Sequence, residues 1–161
     1  MKKWILVLTL ALMAQFGYRG IPVWAQEEAV VASSEAQEKD SAEIKKVIET
    51  FLECSRVGDL DCAMSHVSKE FLGVLEGESL DYAGLRLHFE NSFSNTTDRS
   101  FSNLNVLELN VGDDNKATVL VEYELEAFNL KTSARIKKSR RVQYSLYREG
   151  GTWKILSLEQ S

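Results

Sequence analysis

At Asn95 the spacing of apolar residues changes from a period near 3.6 to a period of 2, so the chain divides into a helical part and a strand part. Upstream, Ile44, Val47, Ile48, Phe51, Leu52 and Ser55 recur on one helical face, and Leu60, Ala63, Met64, Val67 and Phe71 form a second stripe. A third helix is expected from about Asp81 to Ser92, with Tyr82, Leu85, Phe89 and Phe93 on one side. Downstream, residues 101–111 run into GDDN, a turn built from residues that tolerate such geometry. The segment KATVLVEYELEAF then alternates. Ala117, Val119, Val121, Tyr123, Leu125 and Ala127 share one face, while Glu122, Glu124 and Glu126 lie on the other. A turn over 129–132 leads to a basic strand over 133–148. Glu149-Gly150-Gly151 turns again, and TWKILSLEQ closes with apolar residues on both faces, as in a strand covered on both sides. The fold class is α+β, with three N-terminal helices followed by an antiparallel meander of four long strands. The short LGVLEGES stretch reads as an additional first strand.

Local signals set the helix ends. Asp40 with Glu43 three residues later resembles a capping box, which starts the first helix at Asp40. Gly58 ends it by accepting positive φ, and Asp59 caps the next helix. The first two helices therefore form a hairpin with a very tight turn.

Residues 1–25 read as a secretory signal, with Lys2 and Lys3 ahead of an apolar run from Trp4 to Phe16 and small or short residues before a cut following Ala25. Only fifteen uncharged residues separate Lys3 from Arg19, too few for a spanning helix, so no stable membrane anchor is expected. The expected location is periplasmic or secreted. Cleavage removes three of the 19 basic residues and none of the 24 acidic ones, leaving 16 against 24 and a net charge of −8. That balance argues against nucleic acid and anionic membrane as partners. Residues 26–40 read as a flexible polar leader, and residues 41–161 as one domain.

The Gly58-Asp59-Leu60 turn, the DYAGLRLHF helix and the closing Gly-Gly-Thr-Trp-Lys-Ile strand together resemble the nuclear-transport-factor-2-like superfamily, in its ketosteroid-isomerase-like or SnoaL-like branch. The resemblance covers roughly residues 41–160 and implies a strongly curved sheet wrapped around the helices as a cone-shaped barrel. It also implies an interior pocket and dimerisation through the sheet. It does not imply an activity, because such folds host isomerases, dehydratases and pure binding modules.

Candidates for chemistry are few. His88 sits on the inward side of the third helix, where it serves either as packing or as a pocket acid or base. Tyr123 lies among apolar neighbours as a pocket hydroxyl or as core, and Tyr82 shares the stripe of the third helix. Pairing Ala127 with Ala134 sets Glu126 opposite Arg135 and Glu124 opposite Lys137, a solvated charge ladder. The same register puts Lys138 opposite Tyr123 and Arg140 opposite Val121, on the apolar face, where an unpaired charge is expensive to bury. Either a β-bulge or simple exposure relieves this, or the cations border an opening that favours an acidic ligand.

Cys54 and Cys62 lie symmetrically about Gly58, each one turn from the bend, and in an oxidising compartment they are expected to pair. Two sulfurs with a distant, exposed His66 make no tetrahedral metal set, and nucleophilic catalysis lacks an adjacent base. No cofactor is expected. The function expected is a small-ligand-binding module of the cell envelope. The alternatives are an isomerase or dehydratase using a pocket His or acid, and a dimeric interaction subunit of an envelope assembly. Expected partners are a small, partly apolar or acidic molecule and a second copy through the sheet.

Overall fold

The computed structural model describes residues 23–112 and 114–160, with side chains from residue 35 onward. The signal segment expected at 1–25 lies outside the described residues except for its last three. The chain divides into two units, Met1–Ala36 and Gln37–Ser161. The first is helical from Val23. No helix among the described residues is long and apolar enough to cross a membrane.

Three helices, α1 (Val23–Val57), α2 (Leu60–Ser65) and α3 (Tyr82–Asn95), pack against a curled six-stranded mixed sheet. Its strands are β1 (Leu72–Leu75), β2 (Glu78–Asp81), β3 (Thr96–Val111), β4 (Lys116–Asn129), β5 (Ala134–Glu149) and β6 (Thr152–Gln160). The spatial order is β2-β1-β6-β5-β4-β3, and the β1–β6 contact is parallel, through Val74 and Glu159. The four long strands form the expected meander, and LGVLEGES becomes a complete hairpin.

Two helix boundaries follow different logics. α1 begins upstream of the expected cap at Asp40, and residues 26–40 are helical where a leader was expected. The stretch from Val23 to Val57 contains no Gly or Pro and is rich in Ala, Glu, Gln and Lys, so nothing in it interrupts a helix. Asp40 and Glu43 do not cap. Both bind Arg148 of β5, Glu43 at 3.0 Å. The far end behaves as read: Gly58 has φ +77, Asp59 N–H closes back on the Cys54 carbonyl at 2.9 Å, and the Asp59 carboxylate accepts from Cys62 N–H at 2.9 Å.

The core is the meeting of the expected stripes. Ile44, Ile48, Phe51 and Leu52 of α1 are buried, as are Ala63 and Met64 of α2 and Leu85 of α3. Opposite them lie Val119 and Val121 of β4, Tyr144 of β5 and Trp153 of β6. β6 is buried on one face only, through Trp153, Ile155 and Leu158, with Lys154 and Leu156 half-exposed. Curvature comes from β3, whose pairing with β4 shifts register three times and whose Asp98 and Asn103 take positive φ. Each extra residue bends the strand and tightens its twist, which curls the sheet around the helices.

Candidate functional site

Curling leaves a cavity of about 400 Å³ bounded by α1, α3 and the inner faces of β3, β4 and β5. Its helical wall is aromatic: Phe51 meets Phe89 at 5.8 Å between centroids, and Phe89 stacks on Phe93 at 5.5 Å. Across from them Phe101 lies edge-on to Tyr123 at 5.5 Å, with Leu125 and Ile136 beside it. An apolar guest would therefore be surrounded by ring faces and edges.

The polar groups sit on β4 and β5. Tyr123 and Tyr144 are hydrogen-bonded through their hydroxyls, and burial pushes both pKa values above the usual phenol value. Both are neutral at physiological pH. One hydroxyl hydrogen is used within the pair, and the other remains for a partner. Tyr123 pairs across the strands with Arg140, and Leu125 with Lys138. The register is thus Ala127 with Ile136, two residues from the pairing expected, and a shift of two keeps every side chain on its face. No bulge interrupts the β4–β5 ladder, and Lys138 and Arg140 border the cavity. On the outer face Lys137 reaches both Glu124 and Glu126, at 3.1 and 2.9 Å, and Arg141 reaches Glu122 at 3.0 Å.

The partner of the inner cations is Glu76, from the β1–β2 turn. Its Oε1 accepts from Arg140 Nη2 at 2.5 Å and from Lys138 Nζ at 3.1 Å. These bonds, Arg140 first, hold its carboxyl below the ordinary value. Glu76 and Gly77 have φ of 53° and 86°, the backbone of a two-residue hairpin turn that Asn or Gly usually fills at both positions. Among the described residues that line the cavity Glu76 is the one carboxylate. Nothing local marks it, because its partners lie 62 and 64 residues away.

Of the four pocket candidates, His88, Tyr123 and Arg140 line this cavity and Tyr82 does not. Tyr82 is two turns, roughly 10 Å, along α3 from Phe89. It lies in a separate groove, where its hydroxyl accepts from Lys69 Nζ at 2.7 Å.

Arg99 also lines the cavity and was not singled out from sequence. Its Nε donates to the Ser55 carbonyl at 3.1 Å and its Nη1 to the Thr96 carbonyl at 2.9 Å, tying the end of α1 to the start of β3. Burial lowers its pKa. A Cβ on Gly58 would collide with its guanidinium, a second demand for glycine beside the positive φ. The signal was present: Arg99 is the lone Lys or Arg between Arg86 and Lys116.

Cys54 and Cys62 form a disulfide with Cα atoms 5.7 Å apart. His66 is neither distant nor fully exposed. It is half-buried, and a ring nitrogen lies within 4.8 Å of the sulfurs. Cys62 and His66 are four residues apart, hence one turn apart on one face. Burial, with Lys154 nearby, lowers the imidazole pKa.

No protein-family model matches the sequence, and no curated protein matches it. Solved structures do match in fold. A ketosteroid isomerase-like protein from Erwinia carotovora atroseptica aligns over 74% of this chain and 93% of its own, at 14% identity and a TM-score of 0.66. A nuclear-transport-factor-2-like superfamily protein from Salmonella enterica aligns over 78% and 92%, at 12% identity and 0.68. A protein of unknown function with the same likeness, from Shewanella oneidensis, aligns over 76% and 98%, at 13% identity and 0.60. The fold is the cone that the sequence resemblance implies.

Proposed function

We propose that the domain is an exported small-ligand-binding module of the cell envelope, holding a partly apolar molecule inside the cone. The observation that carries this is the convergence of an aromatic cavity of about 400 Å³ on Tyr123 and Arg140. A volume of that size is within the range of small-molecule sites, which combine apolar walls with a few placed polar groups. Export is supported by the signal-like N-terminal sequence and by the Cys54–Cys62 bond, which persists in oxidising compartments.

Turnover has less support. Proton-transfer enzymes need a base facing the substrate, and in this lining the carboxylate is already committed to two cations, which leaves His88.

The test is thermal melting of the mature protein with a panel of lipophilic acids and alcohols at concentrations up to millimolar. A ligand at a hundred times its Kd adds about 2.7 kcal/mol of stability, a shift of several degrees. A flat melting temperature across the whole panel would remove the binding function. Intact mass of protein recovered from its own compartment tests the cut after Ala25.

A further inference from the structure

Among the described residues Arg140 is the most buried cation in an ion pair, its side chain only 15% exposed inside the cone, where a charge without a partner is expensive. What it has is the carboxylate of Glu76, which arrives from a turn rather than from a neighbouring strand. The turn is exposed. Glu76 is 45% exposed, a Cβ on Gly77 would meet nothing, and Glu76 itself occupies a left-handed backbone conformation that disfavours a side chain of its kind. The β1–β2 hairpin that carries it meets the long strands through one ladder pairing, Val74 with Glu159. The outer-face acids Glu122, Glu124 and Glu126 cannot substitute, since they point away and hold Lys137 and Arg141.

We infer that Glu76 is a built-in stand-in for the acid group of the ligand: the pocket takes a monocarboxylate with an apolar body, whose carboxylate displaces Glu76 from Arg140 and Lys138. This rests on the proposal above that the cavity is a ligand pocket. In the empty state Glu76 neutralises the cations. In the loaded state the ligand carboxylate accepts the same two hydrogen bonds, Tyr123 offers a third, and the aromatic wall takes the apolar body. The exchange is like for like, so affinity is set by the difference between the two carboxylates and by the effective concentration of the tethered one. Removing the tethered carboxylate removes the competitor. An alcohol of the same shape gains nothing from the removal, because it never competed for the cations.

The experiment measures Kd by calorimetry for two matched pairs, decanoate with decanol and 4-phenylbutyrate with 4-phenylbutanol. The proteins are the wild type, Glu76→Gln and Glu76→Asn. Asparagine suits the left-handed turn position, so it covers the case in which the glutamine variant fails to fold. The expected result is carboxylate binding at least tenfold tighter in both variants, with alcohol binding changed less than twofold. Melting adds a second readout, since a carboxylate should stabilise the variants more than the wild type by restoring an anion to Arg140. Acids and alcohols binding equally, with neither variant altering the ratio, would overturn the stand-in and leave the pocket intact. No binding of any probe to any of the three proteins would overturn both.

Discussion

Arg99→Met removes every donor of the guanidinium while keeping a side chain of similar length. Three hydrogen bonds of 3.1 Å or less are lost: those to the Ser55 carbonyl, the Thr96 carbonyl and the Thr96 hydroxyl. Bonds from a charged donor net about 1.5–3 kcal/mol each, but this guanidinium has already given up part of its hydration, the effect that lowers its pKa. Discounting each bond to about 1 kcal/mol gives a loss of about 3 kcal/mol. Methionine retains the stem packing and gives up only the cation's stacking on Phe93, a few tenths more. With a urea slope of about 1.5–2 kcal/mol per molar, the midpoint should fall by roughly 1.5–2 M with the slope unchanged. A loss below about 1 kcal/mol would show that water serves these carbonyls equally well and that Arg99 is not a structural tie. Gly58→Ala makes the reasoning stricter. In the wild type the methyl must both hold a positive φ and evict Arg99; in Arg99→Met only the backbone penalty of about 1 kcal/mol remains. The two substitutions should therefore be less than additive by more than about 0.5 kcal/mol, and strict additivity would refute the shared space.

Replacing Cys54 and Cys62 together by alanine should destabilise by about 2.5 kcal/mol for so short a loop, read from urea melts against the oxidised wild type. An unchanged midpoint would mean that the turn holds itself. Tyr123 and Tyr144 have raised pKa values, so the stability they confer is complete below the ordinary phenol value of 10 and is lost as pH rises above it. Ultraviolet titration should show both ionising later than exposed tyrosines, together with unfolding rather than before it. Glu76 has the opposite sign. Its lowered pKa makes its contribution complete above the ordinary carboxylate value of 4.5 and lost as pH falls through the lower folded value. The stability difference between wild type and Glu76→Gln should accordingly shrink under acid, and a difference independent of pH would detach Glu76 from its cations.

What the sequence made legible was whatever depends on neighbours in the chain. The helical stripes, the inward face of β4 and the turn at Gly58 and Asp59 all rest on spacings of a few residues, and the structure keeps them. Contacts between distant segments were not legible. Asp40 and Glu43 have the spacing of a capping box, yet Arg148, more than a hundred residues away, takes both. The β4–β5 register moved by two because the residues from Asn129 to Ser133 admit more than one loop length, while the apolar alternation fixes only the parity. Glu76 was invisible because a Glu-Gly turn carries no record of the strand it faces. His66 is different: four residues from Cys62 on a short helix, it could have been placed beside the sulfur by counting.

The position of β6 bears on how such a chain reaches its folded state. It is the last of the six strands to leave the ribosome, yet it lies between β1 and β5 and is what joins the short hairpin to the long meander. The segment just after α2 also docks on it, with Ser68 and His66 exchanging backbone hydrogen bonds with Ile155. A nascent chain in which Thr152–Gln160 has not yet emerged therefore holds two disconnected sheet fragments, and the helical residues lack the cover of Trp153, Ile155 and Leu158. Until β6 has emerged, the β1–β2 hairpin and the β3–β4–β5 meander cannot join into one sheet.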